Sequence, residues 1–167
     1  FYPLAFALVP GEDVCNWQWF MRNLSNCVDD RPITFITDRG EGLKQSIPEV
    51  FGDRAYHSYC FFHLKQNLPI NKGDEKYKQV IESFKKATYA LTPAKYEEGL
   101  REMVIAGRPW VAEYLKGVDR EKWSSAYFKG CRYGYTSSSI AESFNNWIRK
   151  EKKLPAYGIA DNIRYFF

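Results

Sequence analysis

The sequence predicts an α/β domain interrupted by an all-helical insertion, and three observations lead there. Short apolar, β-branched or aromatic runs recur at 1–9, 33–37 and 55–59. Helical patterning separates them, the alternation expected of a sheet with parallel crossovers. From about Leu64 to Tyr127 the strand signals vanish and only helical periodicity remains.

The elements follow in order. "FYPLAFALVP" is densely apolar, ends at a Pro10-Gly11 turn signal and reads as a buried strand. Asp13 is placed to cap a helix from Val14 to about Val28, with Val14, Trp17, Met21, Leu24 and Val28 on one face and Phe20 and Cys27 reinforcing it. Asp29, Asp30 and Pro32 end it. Ile33–Thr37 is the next strand and reads as buried; a short helix from Glu41 through Ile47 follows, disturbed by Pro48. Ala55–Tyr59 is a third strand. In the helical block, Tyr77, Val80, Ile81 and Phe84 make one stripe. Tyr96, Leu100, Met103 and Val104 make another, opened by Thr92 and Pro93. A third helix starts at Pro109, with Val111, Tyr114 and Leu115 inward and Gly117 as the stop. The loop "KGCRYGYTSSS" leads into "IAESFNNWIRKEKK", where Ile140, Phe144, Trp147 and Ile148 share one side and Glu142, Asn145, Asn146 and Arg149 the other. Trp17, Trp110, Trp123 and Trp147 read as core residues rather than base-stacking platforms.

With 167 residues, 45% hydrophobic and 17% aromatic, the chain has material for a real core. A net charge of +4 permits a nucleic-acid partner without demanding one. Cys15, Cys27, Cys60 and Cys131 are scattered, unlike a secreted disulfide framework, which favours a reducing compartment. No run is long enough for a membrane span, and no signal peptide is recognised. The chain opens on Phe1 rather than methionine and its final "RYFF" reads as helical, so it is expected to be an internal piece of a longer protein.

Asp38 stands at the carboxyl end of a strand, where open α/β sheets place their ligands. Its ordinary reading is a helix cap or an Asx turn with Gly40; Glu142 alone reads as a solvated helix residue. Should the fold bring the two together, their oxygens suit Mg²⁺ or Mn²⁺. Two such ions about 3.5–4 Å apart activate a nucleophile and steady the leaving oxygen of a phosphodiester. "HSYCFFH" carries His57, Cys60 and His63. Cys-x-x-His is half of a zinc spacing and lacks two ligands, one of which Cys131 would supply if the chain folded back. The residues themselves favour a structural reading, a buried Cys with hydrogen-bonded His, over zinc. Arg39 and Lys44 near Asp38, and the run Arg149, Lys150, Lys152 and Lys153 at the end of the Glu142 helix, are either solvated charges or DNA-phosphate contacts.

"FYPLAFALVPGEDVCNWQWFMRNL", "ITFITDRGEGL", "YHSYCFFHLKQN" and "SSSIAESFNNWI" together resemble, in order and approximate spacing, the catalytic region of Mutator-like (MULE) DNA transposases. The resemblance implies a ribonuclease-H-like mixed sheet with a helical insertion. Residues 1–63 would form a partial core, 64–136 the insertion and loop, and 137–167 the returning core. It further implies a DDE triad in which Asp38 is the second acid and Glu142 the third, the first lying upstream, so that this piece alone should be inactive. A Cys-x-x-His pair recurs near the active site in that family, which would make Cys60 and His63 candidate metal ligands and let His63 position substrate or a metal-bound water; His57, Asn145 and Asn146 are further candidates for active-site support. DNA, transposon ends and target, is the implied partner, with a homo-oligomer also expected, no membrane, no small-molecule substrate, and a nuclear location. The alternative is a plant protein of the far-red-impaired-response group, which resembles transposases recruited as nuclear transcription regulators without catalysis.

Overall fold

The structure, a computed structural model, describes residues 4–149 and 151–165. It is mixed α/β: among the described residues a two-stranded sheet is surrounded by helices. Helix α1 (Val14–Ser25) is capped as predicted, the Asp13 carboxylate accepting the Asn16 N–H at 2.8 Å. It stops earlier than expected, at an Asn26 cap, and Cys27 is exposed rather than inward. Strand β1 (Ile33–Thr37) leads through α2 (Glu41–Phe51) to β2 (Ala55–Tyr59). β1 and β2 pair in parallel, from Ile33 opposite Ala55 to Thr37 opposite Tyr59, so α2 is the crossover that a parallel pair requires.

Pro48 does not disturb α2. It lacks one donor, and the helix runs on to Gly52, whose positive φ of 55° ends it with an N–H to the Pro48 carbonyl. Met21 of α1 packs with Leu43, Ile47 and Phe51 of α2, and Phe35 of β1 meets Phe51 at 4.8 Å between ring centres. All five β1 residues are only partly buried, not enclosed as expected, because β2 is their one strand neighbour among the described residues.

The expected first strand is not formed among the described residues, and its first three positions, 1–3, lie outside them. Residues 4–9 form no strand, and Leu4 is 60%, Phe6 42% and Leu8 50% exposed. Apolar density measures what a segment gains from a partner sheet; it does not supply the sheet, and no described strand pairs with this one.

After β2 come α3 (Phe61–Gln66), α4 (Tyr77–Thr88), α5 (Pro93–Ile105) and α6 (Pro109–Lys116). Their core is continuous, from Phe61 stacked on Phe84 at 5.1 Å to Phe84 against Trp123 at 5.7 Å, with Val80, Tyr96, Leu100, Met103, Val111 and Leu115 around them. Thr92 and Pro93 open α5 as predicted. Val104, expected inward, is 48% exposed, because the face that meets α4 is defined by Tyr96, Gly99, Leu100 and Met103. Of the tryptophans expected in the core, only Trp123 is enclosed. Trp17 is partly buried, Trp147 is half exposed, and Trp110 lies on the surface with its indole N–H donating to the Pro69 carbonyl at 2.9 Å.

The returning segment is α7 (Ser139–Trp147) and α8 (Ala156–Tyr165), joined by a short 3-10 turn at Glu151–Lys153. Ile148, Ile159 and Ile163, with Phe144, make a small separate core. Because α7 ends at Trp147, the basic run does not extend the Glu142 helix as expected. Arg149 follows α7 and is exposed, Lys153 lies exposed in the 3-10 turn, and Lys150 and the side chain of Lys152 lie outside the described residues.

Candidate active site

The site is assembled at the carboxyl end of the parallel pair. β1 ends on Thr37 and delivers Asp38; beyond β2, the Cys60 N–H donates to the Thr37 carbonyl at 2.6 Å, so the two strand ends are tied. Asp38 makes the Asx turn that its sequence context suggests, Oδ1 accepting the Gly40 N–H at 2.9 Å. That bond uses one of the several lone-pair directions of a carboxylate, and Asp38 still lines an open cavity of about 820 Å³.

His57, 5% exposed on β2, braces this turn from below. Its Nε2 lies 2.8 Å from Thr37 Oγ1, and the Thr37 hydroxyl donates to the Asp38 carbonyl at 2.6 Å. The hydroxyl has one hydrogen, so the chain is satisfied when the imidazole Nε2–H donates to Thr37. Burial, aided by the charge of Lys122 and opposed by that of Asp38, pushes the His57 pKa down to about 4, which keeps the ring neutral near pH 7. His57 therefore holds backbone, and it is not among the residues lining the cavity.

α3 starts directly on Cys60, and His63 sits one turn further on the same side. The loop before α7 docks here: the Phe61 N–H donates to the Thr136 carbonyl at 2.8 Å, and the Ser138 N–H to Cys60 Sγ at 3.3 Å. Glu142, one turn into α7, thereby comes beside His63, with 3.7 Å between His63 Nε2 and Glu142 Oε1. Burial raises the Cys60 thiol pKa, but hydrogen bonds led by Ser138 and the His63 backbone N–H outweigh it and hold the thiol below its ordinary value. Glu142 is half exposed, as the helical pattern predicts, and Ser138 Oγ donates to it at 3.4 Å.

His63 links the two acids. It lines the same cavity as Asp38 and contacts Glu142. The cavity carries further residues that no sequence pattern indicated: Tyr59, Asn67, Tyr114 and a second acid, Asp119. Asp119 follows α6 in a stretch with no motif, and only the packing of the insertion over β2 brings it here.

Both cations near Asp38 line the cavity, and both are engaged. Arg39 Nη2 donates to the Tyr114 hydroxyl, and the guanidinium lies 5.7 Å from that ring's centre, tying the strand end to α6. Lys44 pairs with Glu41 at 2.6 Å, which raises its pKa. Asn145 and Asn146 are exposed on α7 and are not among the residues lining this cavity. Cys60, His63 and Glu142 offer one ligand atom each within 4.8 Å of one another; Cys131 is exposed and does not join them.

Comparison with known proteins finds two matches. Residues 1–67, from the amino end through the strand pair and α3, match the MULE transposase domain. Over 163 residues the chain is 23% identical to Protein FAR1-RELATED SEQUENCE 6 of Arabidopsis thaliana, an alignment that covers 92% of this chain and 23% of that protein. The chain thus spans under a quarter of the length of this curated relative. No solved structure matches it significantly. Together the two matches support a transposase-derived chain of MULE/FAR1 type, as the resemblance implied.

Proposed function

We propose that this chain is the part of a MULE-type DDE transposase catalytic domain that carries the second and third acids, Asp38 and Glu142. The reading rests above all on one observation. Asp38 ends a parallel strand in an open cavity, and His63, which lines that cavity, lies 3.7 Å from Glu142. The parallel pair with its crossover helix and the helical block after it suit a ribonuclease-H-like core with an insertion.

Carboxylate oxygens are what Mg²⁺ or Mn²⁺ binds: Asp38 and Asp119 line one cavity, and Glu142, outside that lining, stands beside it against His63. When bound, such an ion activates a hydroxyl and neutralises charge on a phosphodiester. The residues themselves orient and balance. His57 and Thr37 fix the backbone at Asp38, and Arg39 and Lys44 line the same cavity, where a DNA phosphate would lie. Partner DNA, an oligomer and a nuclear setting belong to this reading, and the first acid would be supplied from upstream.

The test is cleavage of a transposon-end duplex by the full-length parent in Mg²⁺. Asp38→Asn and Glu142→Gln should each abolish nicking. Because Glu142 is half exposed, its variant should also keep its stability within about 0.5 kcal/mol. Undiminished cleavage by either variant removes that residue from the chemistry.

The similarity to a FAR1-related plant protein over 92% of the chain supports a second reading, a domesticated nuclear regulator that keeps the fold to bind DNA or a partner. Salt-dependent duplex binding by the parent, without nicking in Mg²⁺ or Mn²⁺, would favour it.

A further inference from the structure

The Cys-x-x-His pair has a partner that neither the strand ends nor the helix pattern required. Cys60 opens α3, His63 completes its first turn, and the Ser138 N–H bond to Cys60 Sγ docks the first turn of α7 against it. Glu142 closes that turn, its own N–H bonded to the Ser138 carbonyl at 3.1 Å. Two helix starts therefore face each other and converge three unlike donors, a thiol sulfur, an imidazole nitrogen and a carboxylate oxygen, all within 4.8 Å of one another.

We propose that Cys60, His63 and Glu142 form a binding site for a thiophilic divalent ion of the Zn²⁺ class, separate in its chemistry from the hard-cation site expected at Asp38. The donors decide the class. Mg²⁺ and Mn²⁺ favour oxygen ligands, whereas Zn²⁺ accepts sulfur, nitrogen and oxygen together. Three protein ligands leave a fourth tetrahedral position, and half-exposed Glu142 puts that position on the solvent side. Zn–ligand bonds of about 2.0–2.3 Å require the three atoms to draw inward, a movement the exposed Glu142 side chain can supply.

A second observation points the same way. His63 Nδ1 is buried without a hydrogen-bond partner among the described residues. Orphaned buried nitrogens are rare in folded proteins, and an ion is one of the few partners that explain them. An ion here would also draw on the carboxylate that the hard-cation reading needs, so the two metals would compete for Glu142.

The test uses cobalt as a coloured stand-in for zinc, titrated into the reduced 167-residue chain. The expected result is one tight Co²⁺ per chain, with a thiolate-to-cobalt charge-transfer band and the intense visible bands of four-coordination, all discharged by Zn²⁺ but not by Mg²⁺. Replacing the exposed Cys15, Cys27 and Cys131 together by serine should leave the spectrum intact. Cys60→Ser should remove the charge-transfer band. Glu142→Gln, on an exposed position that tolerates change, should weaken the site by more than the roughly 10–100-fold typical of losing an outer hydrogen-bond partner. A band that survives Cys60→Ser, a spectrum that disappears with the three exposed cysteines, or an affinity indifferent to Glu142→Gln would each overturn the proposal. None of these readouts depends on DNA cleavage, so they stand apart from the fate of the transposase reading.

Discussion

His57 shows how a single residue serves the site without entering it. It is buried, neutral, and bonded to the threonine that holds the Asp38 carbonyl. Its folded pKa of about 4 lies below the ordinary 6.5, so between those values the unfolded chain binds a proton that the folded chain refuses. The sign follows: the contribution of His57 to stability is fully present above about pH 6.5 and is lost as pH falls toward 4. From pH 7.5 to pH 5 the chain should lose about 2 kcal/mol in urea unfolding, and His57→Gln should flatten that slope. An unchanged slope in the variant would show that the ring is not excluded from protonation in the fold. At this scale the sequence was partly readable. Asp38 and its Asx turn follow from "TDRG", but the bond from His57 to Thr37 depends on β1 and β2 lying side by side in register, which periodicity cannot set.

Among the elements, α4 and α5 pack with their backbones close together, and Gly99 explains how. A Cβ there would stand 2.9 Å from both the Ala87 nitrogen and the Ser83 carbonyl oxygen, backbone atoms that cannot swing aside. Gly99→Ala gains helix propensity of up to about 1 kcal/mol. It should nonetheless destabilise the chain by about 1–3 kcal/mol, because the two helices must separate. Thermal or urea melting decides the sign, and a stabilised variant would mean that α4 and α5 are not held this close. Most element boundaries could be read from local signals: Asp13 and Thr92 as caps, Pro93 and Pro109 in first turns, the limits of both strands. The failures share one cause. Pro48 inside α2, the exposed faces of Val104 and Trp110, and the unpaired 4–9 segment were each settled by what lay, or did not lie, against them.

For the molecule as a whole, the core is divided. The α3–α6 cluster is extensive and enclosed, the α1–α2–β1 cluster is smaller, and α7 and α8 rest on Ile148, Ile159 and Ile163. Opening free energies track buried apolar contact, so hydrogen exchange should find the slowest amides in α4, α5 and α6 and the fastest helical ones in α7 and α8. Protection of α7 equal to that of α5 would contradict this division. Should the order hold, the Glu142 helix is the element most easily moved, and an ion shared with Cys60 and His63 would slow its exchange by mass action.

The sequence by itself determined most of the local elements, the placement of Asp38 at a strand end and the outward face of Glu142, since each depends on residues within a few positions of one another; the MULE resemblance came from the order and spacing of four such stretches along the chain. Only the tertiary structure decided that Cys60 and Ser138, 78 residues apart, would touch, and with them that Glu142 would meet His63. It likewise decided that Asp119 would join the cavity of Asp38. Such meetings depend on how helices pack across long loops, and neither hydrophobic period nor turn chemistry specifies that packing.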